Sequence, residues 1–270
     1  MTDNPYAAPE ANVDAPPPLG NEHRLNDPRS VPAGRGWEWI AGGFRYFAAN
    51  PLQWILALLA WFAVLIGLSL LPLINLVTSV ITPVMVGGYM MGCDAEDRGE
   101  GFEVSRAFSG FQQSTTELFI AGALYLLGTI VLVVIAMVLI FVFGGAGALA
   151  VAAGGDAAGG AIALGGIAIA VLLTVGLSVP LLMAFYFVPP LIALAKMKPV
   201  PAIKLSFVAC LRNILPFLVF GLILMVLSVL AIIPLFMGFL VLAPVMIASV
   251  YTAYKDIFLL EDTAPLGPAR

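Results

Sequence analysis

From residue 52 to residue 254 the sequence alternates long uncharged apolar runs with short segments that carry its charged side chains. The runs fall at 52–72, 75–93, 118–143, 162–188, 214–233 and 236–254. Each is close to the ~20 residues that a helix needs to cross the hydrocarbon of a bilayer. Strands of a membrane barrel would instead alternate in polarity over ~10 residues, and these runs are continuously apolar. Composition agrees, with 61% hydrophobic and 10% charged residues where a soluble domain carries roughly 25% charged. The fold expected is an all-α membrane protein. Its six transmembrane helices form three helical hairpins, each preceded by a cytoplasmic interfacial amphipathic helix.

Charge placement orients the spans. Arg24, Arg29, Arg35 and Arg45 precede the first run, and Arg98 and Arg106 lie between the second and third. Lys196, Lys198, Lys204 and Arg212 lie between the fourth and fifth, and Lys255 and Arg270 follow the sixth. The alternate connections 73–74, 144–161 and 234–235 hold no Lys or Arg, and Asp156 is the one acid there. Positive loops stay cytoplasmic, so both termini are expected in the cytoplasm and the chain in a bacterial inner membrane. Residues 1–33 lack the apolar core of a cleavable leader, so insertion is expected to rely on the first span. Cys93 and Cys210 fall near cytoplasmic helix ends, where thiols stay reduced, and form no metal-type spacing.

The domain plan is a disordered cytoplasmic tail over 1–33, a membrane domain over 34–258 and a C-terminal tail over 259–270. The first stretch is rich in Pro, Ala and Asn and has no apolar periodicity, so it cannot bury enough surface to offset its chain entropy. Within the domain the same order occurs three times, in units of about 36–93, 104–188 and 202–254. Amphipathic segments at 36–50, 104–115 and 202–213 mix aromatic and basic residues, a composition suited to the headgroup layer. Phe44, Phe108 and Phe207 each precede by six residues a candidate capping side chain, Asn50, Ser114 and Asn213. Pro83, Pro180 and Pro244 then head similar phrases in the second helix of each hairpin: TPVMVGGYMM, VPLLMAFYFV and APVMIASVYT. Proline removes one backbone hydrogen bond and bends its helix. Gly88 and Gly92, like Ser249 and Ala253, follow at small-xxx-small spacing, which predicts close packing between units one and three. The surplus length of the middle unit includes the Gly/Ala-rich connection 144–161.

Chemistry-bearing motifs are sparse. His23, the sole histidine, lies in the tail, and no HExxH, P-loop or GxSxG pattern occurs. The acids Asp94, Glu96, Asp97, Glu100 and Glu103 form one cluster that could hold Mg²⁺ against a phosphate. Without a second carboxylate cluster, a solvated loop is the expectation. No run carries a charge in its middle, as a proton- or ion-coupled carrier would need. Catalytic, cofactor-binding and metal-ligating residues are therefore expected to be none.

Three stretches, VPAGRGWEWIAGGFRYFAANPLQWI, GCDAEDRGEGFEVSRAFSGF and the block from KLSFVACLRN to YTAYKDIF, resemble an uncharacterised family of proteobacterial integral inner-membrane proteins. The likeness covers about residues 31–258. The hairpin pattern is also distantly similar to the membrane region found beside glycerophosphodiester phosphodiesterase domains, whose catalytic domain this chain lacks. That resemblance implies a bacterial inner-membrane location and no functional residues. The function expected is a non-enzymatic scaffold or envelope-associated accessory, in contact with the lipid bilayer and with a protein partner or a second copy, and not with nucleic acid. The alternative is an uncoupled carrier or channel-like protein for a small apolar or lipid-derived molecule. A third reading is an enzyme using the 94–103 carboxylates.

Overall fold

A computed structural model of the chain describes residues 23, 25–68, 74–154 and 157–259. The first 22 residues, Asp156 and the C-terminal tail beyond Leu259 lie outside them. Most of the described residues are helical, and none lies in a strand. In order they form α1 (Arg35–Ala49), α2 (Pro51–Leu68), α3 (Ile74–Asp97), α4 (Val104–Ala107) and a 3₁₀ turn (Ser109–Phe111). There follow α5 (Thr115–Ala152), α6 (Ala157–Phe185), α7 (Val188–Ala193), α8 (Pro199–Arg212), α9 (Ile214–Ile232) and α10 (Phe239–Phe258).

Among the described residues five segments are long and apolar enough to cross a membrane: 51–68, 115–145, 164–193, 214–232 and 239–258. The expected second span, on α3, is not among them. Helix α3 carries Asn75, Thr78, Ser79 and Thr82 among its apolar residues and ends in Asp94, Glu96 and Asp97; the spans are those of the described residues alone. The connection 144–161 also departs from a plain loop. Helix α5 continues to Ala152 and α6 begins at Ala157, because alanine favours helix and neighbours offset the cost of the glycines.

Among the described residues α5 and α6 form the most extensive pair of neighbours along the chain, and α2 packs on α10 and α4. The amphipathic segments do the joining. Helix α4 and the 3₁₀ turn pack on α3, α8 packs on α6, and α1 packs on α10. Each segment thus lies on a proline-bearing helix, the first of them on the last, and the contacts close a circuit.

Two of these contacts are backbone approaches that only glycine permits. A Cβ on Gly43 would lie 2.5 Å from both Ser249 Oγ and the Val245 carbonyl oxygen. A Cβ on Gly88 would fall inside contact distance of the Ala107 carbonyl. In the third contact the Ser206 hydroxyl donates to the Met183 carbonyl at 2.8 Å and accepts from the Phe187 amide at 3.0 Å. The small-residue positions are therefore close-packed, but not as expected. Gly88 and Gly92 face Ala107 and Phe102, while Ser249 faces Gly43.

Capping differs as well. Asn213 makes no cap bond to α9; its amide accepts from the Val31 amide at 2.8 Å and donates to the Arg29 and Ala209 carbonyls. Asn50 donates to Glu96 Oε2 at 2.8 Å. Asn213 and Asn50 thus tie neighbouring segments together.

Candidate functional site: a buried polar layer at the charged end of the bundle

Residues 25–33, which the sequence places in the tail, form a strap across the C-terminal end of α10. The Asn26 amide donates to the Phe258 carbonyl at 2.9 Å and the Arg29 amide to the Ile257 carbonyl at 3.1 Å. Two prolines and no apolar period hide this from sequence reading, since the strap is held largely by polar contacts.

Its main anchor is Asp256, whose side chain is wholly buried. Oδ1 accepts from Arg29 Nη2 at 2.9 Å and from Arg35 Nη2 at 2.6 Å. Oδ2 accepts from Arg35 Nε at 2.7 Å and Trp39 Nε1 at 2.8 Å. A buried carboxylate is tolerated when it is paired and hydrogen-bonded, and four donors meet that condition. The Trp39 ring packs against Phe217, with centroids 5.1 Å apart, which fixes the indole N–H toward the carboxylate.

The second anchor joins α1, α3 and α10. Asp97 accepts from Tyr46 at 2.5 Å, from Tyr251 at 2.9 Å and from the Lys255 ammonium. Lys255 also donates to the Tyr46 hydroxyl at 3.3 Å and lies 5.4 Å from the centre of the Tyr251 ring. Burial first, and then the Asp97 charge, pushes the Tyr46 hydroxyl well above its usual value. It is thereby a donor to the carboxylate and not a base.

At the edge of this layer Asp94 pairs with His23 Nε2 at 2.7 Å and with the Arg98 guanidinium. The Tyr254 hydroxyl lies 3.3 Å from His23 Nδ1. Burial alone would raise the Asp94 carboxyl, but the His23 hydrogen bond and charge, with Arg98, hold it below its ordinary value.

The acidic cluster is therefore not the solvated loop expected of it. Asp94 is buried, and Glu96 accepts from Asn50 and from the Phe102 amide at 2.5 Å. Phe102 in turn stacks on Trp54 with centroids 4.0 Å apart. Glu100 pairs with Arg98 and Arg106 at 2.8 and 2.9 Å. Among the described residues no group of three or more His, Cys, Asp or Glu side chains is placed to hold a metal ion.

Sequence reasoning missed Asp256, Lys255, Arg29 and Arg35 as a set and left His23 in the tail. One signal was present. Tyr251, Tyr254, Lys255 and Phe258 recur at helical spacing along α10, which marks a face packed against something. Cys93 and Cys210 are both free and buried.

Comparison with known proteins adds one relative. A protein of Burkholderia thailandensis described as a probable inner membrane protein is 28% identical over 204 residues, covering 71% of this chain and 73% of the relative. No family model matches the chain, and no solved structure matches it. Nothing found supports the likeness to the membrane region of glycerophosphodiester phosphodiesterases. The apolar helices and this relative together make the chain a multi-helix integral membrane protein of the inner-membrane kind.

Proposed function

We propose that the protein is a non-enzymatic scaffold or envelope-associated accessory of the inner membrane, with its termini in the cytoplasm. The observation that carries this reading is the closure of the polar layer. Asp94, Asp97 and Asp256 each have their oxygens taken by cations, hydroxyls or an indole N–H. A catalytic carboxylate needs a face open to substrate, and these oxygens point at internal donors. Such a layer suits a rigid platform on which a partner or a second copy docks. The circuit of amphipathic segments on proline-bearing helices supports the threefold repeat as the plan of that platform.

The test is purification of the tagged protein from native membranes in mild detergent. A defined protein should co-purify in constant ratio and be lost when exposed Trp37 and Phe44 of α1 become Ser. Conversion of Asp94 and Asp97 to Asn in a chain that stays folded should leave the cellular phenotype intact; its loss would point to catalysis and sink the reading.

A second reading has one observation behind it. A groove of about 270 Å³ lies between the proline-bearing helices, lined by Thr82, Pro83, Tyr125, Leu182, Phe185 and Val250 among others. It favours the uncoupled carrier of a small apolar or lipid-derived molecule. Cysteine introduced at Thr82 or Ser178 should then react with membrane-impermeant thiol reagents, and silence at both sites would remove it.

A further inference from the structure

We infer that the α9–α10 hairpin enters the bilayer without crossing it, and that its tip, residues 233–238, rests against the acyl chains of the far leaflet. The hairpin is long enough to span by residue count, but its position in the bundle shortens its reach. The rings of Phe187, Phe217 and Phe258 meet, with centroids 5.9 and 5.3 Å from Phe187, and they mark one level near the polar layer. From Phe217 to the end of α9 at Ile232, a rise of 1.5 Å per residue covers roughly 22 Å. Helix α10 is committed to the polar layer from Tyr251 onward. Measured from Phe258 at that same level, α10 runs back to Phe239, roughly 28 Å, so α9 sets the shorter reach of the pair. From the same level, α6 carries its apolar span back to Leu164, roughly 35 Å away. The hydrocarbon layer is ~30 Å thick. If α6 spans it, the α9–α10 tip stops on the order of 10 Å short, and tilt shortens the reach further.

Two independent features of the tip agree. The first is chemical. Ile233, Leu235, Phe236 and Met237 are all strongly exposed, and the segment 230–243 contains no polar side chain. Backbone inside lipid must satisfy itself. Most of the tip's amides do so: those of Ile233, Phe236, Met237, Phe239, Leu240 and Val241 donate to carbonyls between Leu230 and Gly238. Leu235 and Phe236 adopt φ of 52° and 66° to make this turn, a strained conformation for side chains of this size. A turn in water could have used Gly or Asn and solvent.

The second is positional. Leu230, Gly238 and Val241 line one groove of about 500 Å³ with Trp37, Ala41 and Phe44 of α1. Helix α1 carries Arg35, Glu38 and exposed Arg45, so it belongs near headgroups. A tip that shares a groove with it is not at the opposite surface.

The experiment uses the full chain with single cysteines at Leu235 and, as a control, at exposed Ala153 between α5 and α6. The unsubstituted chain, whose Cys93 and Cys210 are buried, sets the background. In cells, L235C should react with an impermeant maleimide roughly tenfold or more slowly than A153C, because lipid excludes both reagent and thiolate. A spin label on L235C in phosphatidylethanolamine–phosphatidylglycerol vesicles should collide often with oxygen and rarely with a water-soluble nickel chelate. Labelling of L235C as fast as A153C would overturn the inference. So would a spin label shielded from oxygen as well as nickel, since a second copy and not lipid would then cover the tip.

Discussion

Replacing Asp256 by Asn tests whether one carboxylate holds the strap, α1 and α10 together. The change keeps the shape of the side chain but removes its charge and replaces one acceptor oxygen with an NH₂ that faces donors. Arg35 Nη2 at 2.6 Å, Arg35 Nε at 2.7 Å, Trp39 Nε1 at 2.8 Å and Arg29 Nη2 at 2.9 Å lose part or all of their partner. Breaking a dry ion pair costs about 3–5 kcal/mol. Here the Arg29 and Arg35 side chains are 33% and 24% exposed, so water recovers part of that cost. The buried indole N–H cannot recover in this way, and an unsatisfied group of its kind costs about 1–3 kcal/mol. A net loss of roughly 2–3 kcal/mol follows from these two terms.

At about 2–4 °C per kcal/mol for a chain of this size, thermal unfolding in detergent should fall by roughly 4–12 °C. Limited trypsinolysis should show faster cleavage after Arg29, because the strap is the segment released first. Asp27→Asn is the matched control, since Asp27 is exposed on the same strap. If D256N and D27N melt together and give one digestion pattern, the carboxylate does not hold the strap.

The remaining predictions follow from the same contacts. Asp94 has its carboxyl below the ordinary value, so the folded chain binds that proton more weakly than the unfolded one. The stabilisation is complete above the usual aspartate value of about 3.9 and is lost as the pH falls through the lower folded value. Pepsin digestion should therefore free the His23 end of the strap only below about pH 4, and Asp94→Asn should remove that window. Gly88→Ala should destabilise the fold by about 1–3 kcal/mol through overpacking against the Ala107 carbonyl. Gly176→Ala, with open space around it, should match the parent in the same melt. Trp54→Ala should lower stability by roughly 3–5 kcal/mol and loosen the 98–103 loop in hydrogen exchange, because the Phe102 stack on Trp54 is what holds it down.

The membrane class was legible because hydropathy is a local sum, and runs such as 214–233 need no partner to be recognised. The polar layer was not, because its burial comes from convergence. Lys255 and Asp256 look like a charged flank of the last span, and Arg29 and Arg35 like a basic leader. Only the close approach of α1 to α10 at Gly43 and Ser249 brings the two flanks together. Sequence periodicity reports the face that a helix buries, and Trp39, Ile40, Gly43, Tyr46 and Phe47 do mark one on α1. It does not report the opposite wall.

The same limit governs the hairpin count. A run of twenty apolar residues states that a helix tolerates hydrocarbon on its sides, and this holds whether it crosses or turns back. What separates the two cases is the level at which the run begins. For α10 that level is set by Tyr251, Lys255 and Asp256 through their partners on α1 and α3. The side chains that close the polar layer therefore also limit how deep the last hairpin can reach. A variant that frees Asp256 and Lys255 should let α10 slide outward. In a chain carrying D256N and K255Q together, the reactivity of a cysteine at Leu235 should rise toward that of Ala153→Cys. A tip that stays unreactive in a chain whose strap has been released would show that depth and latch are set independently.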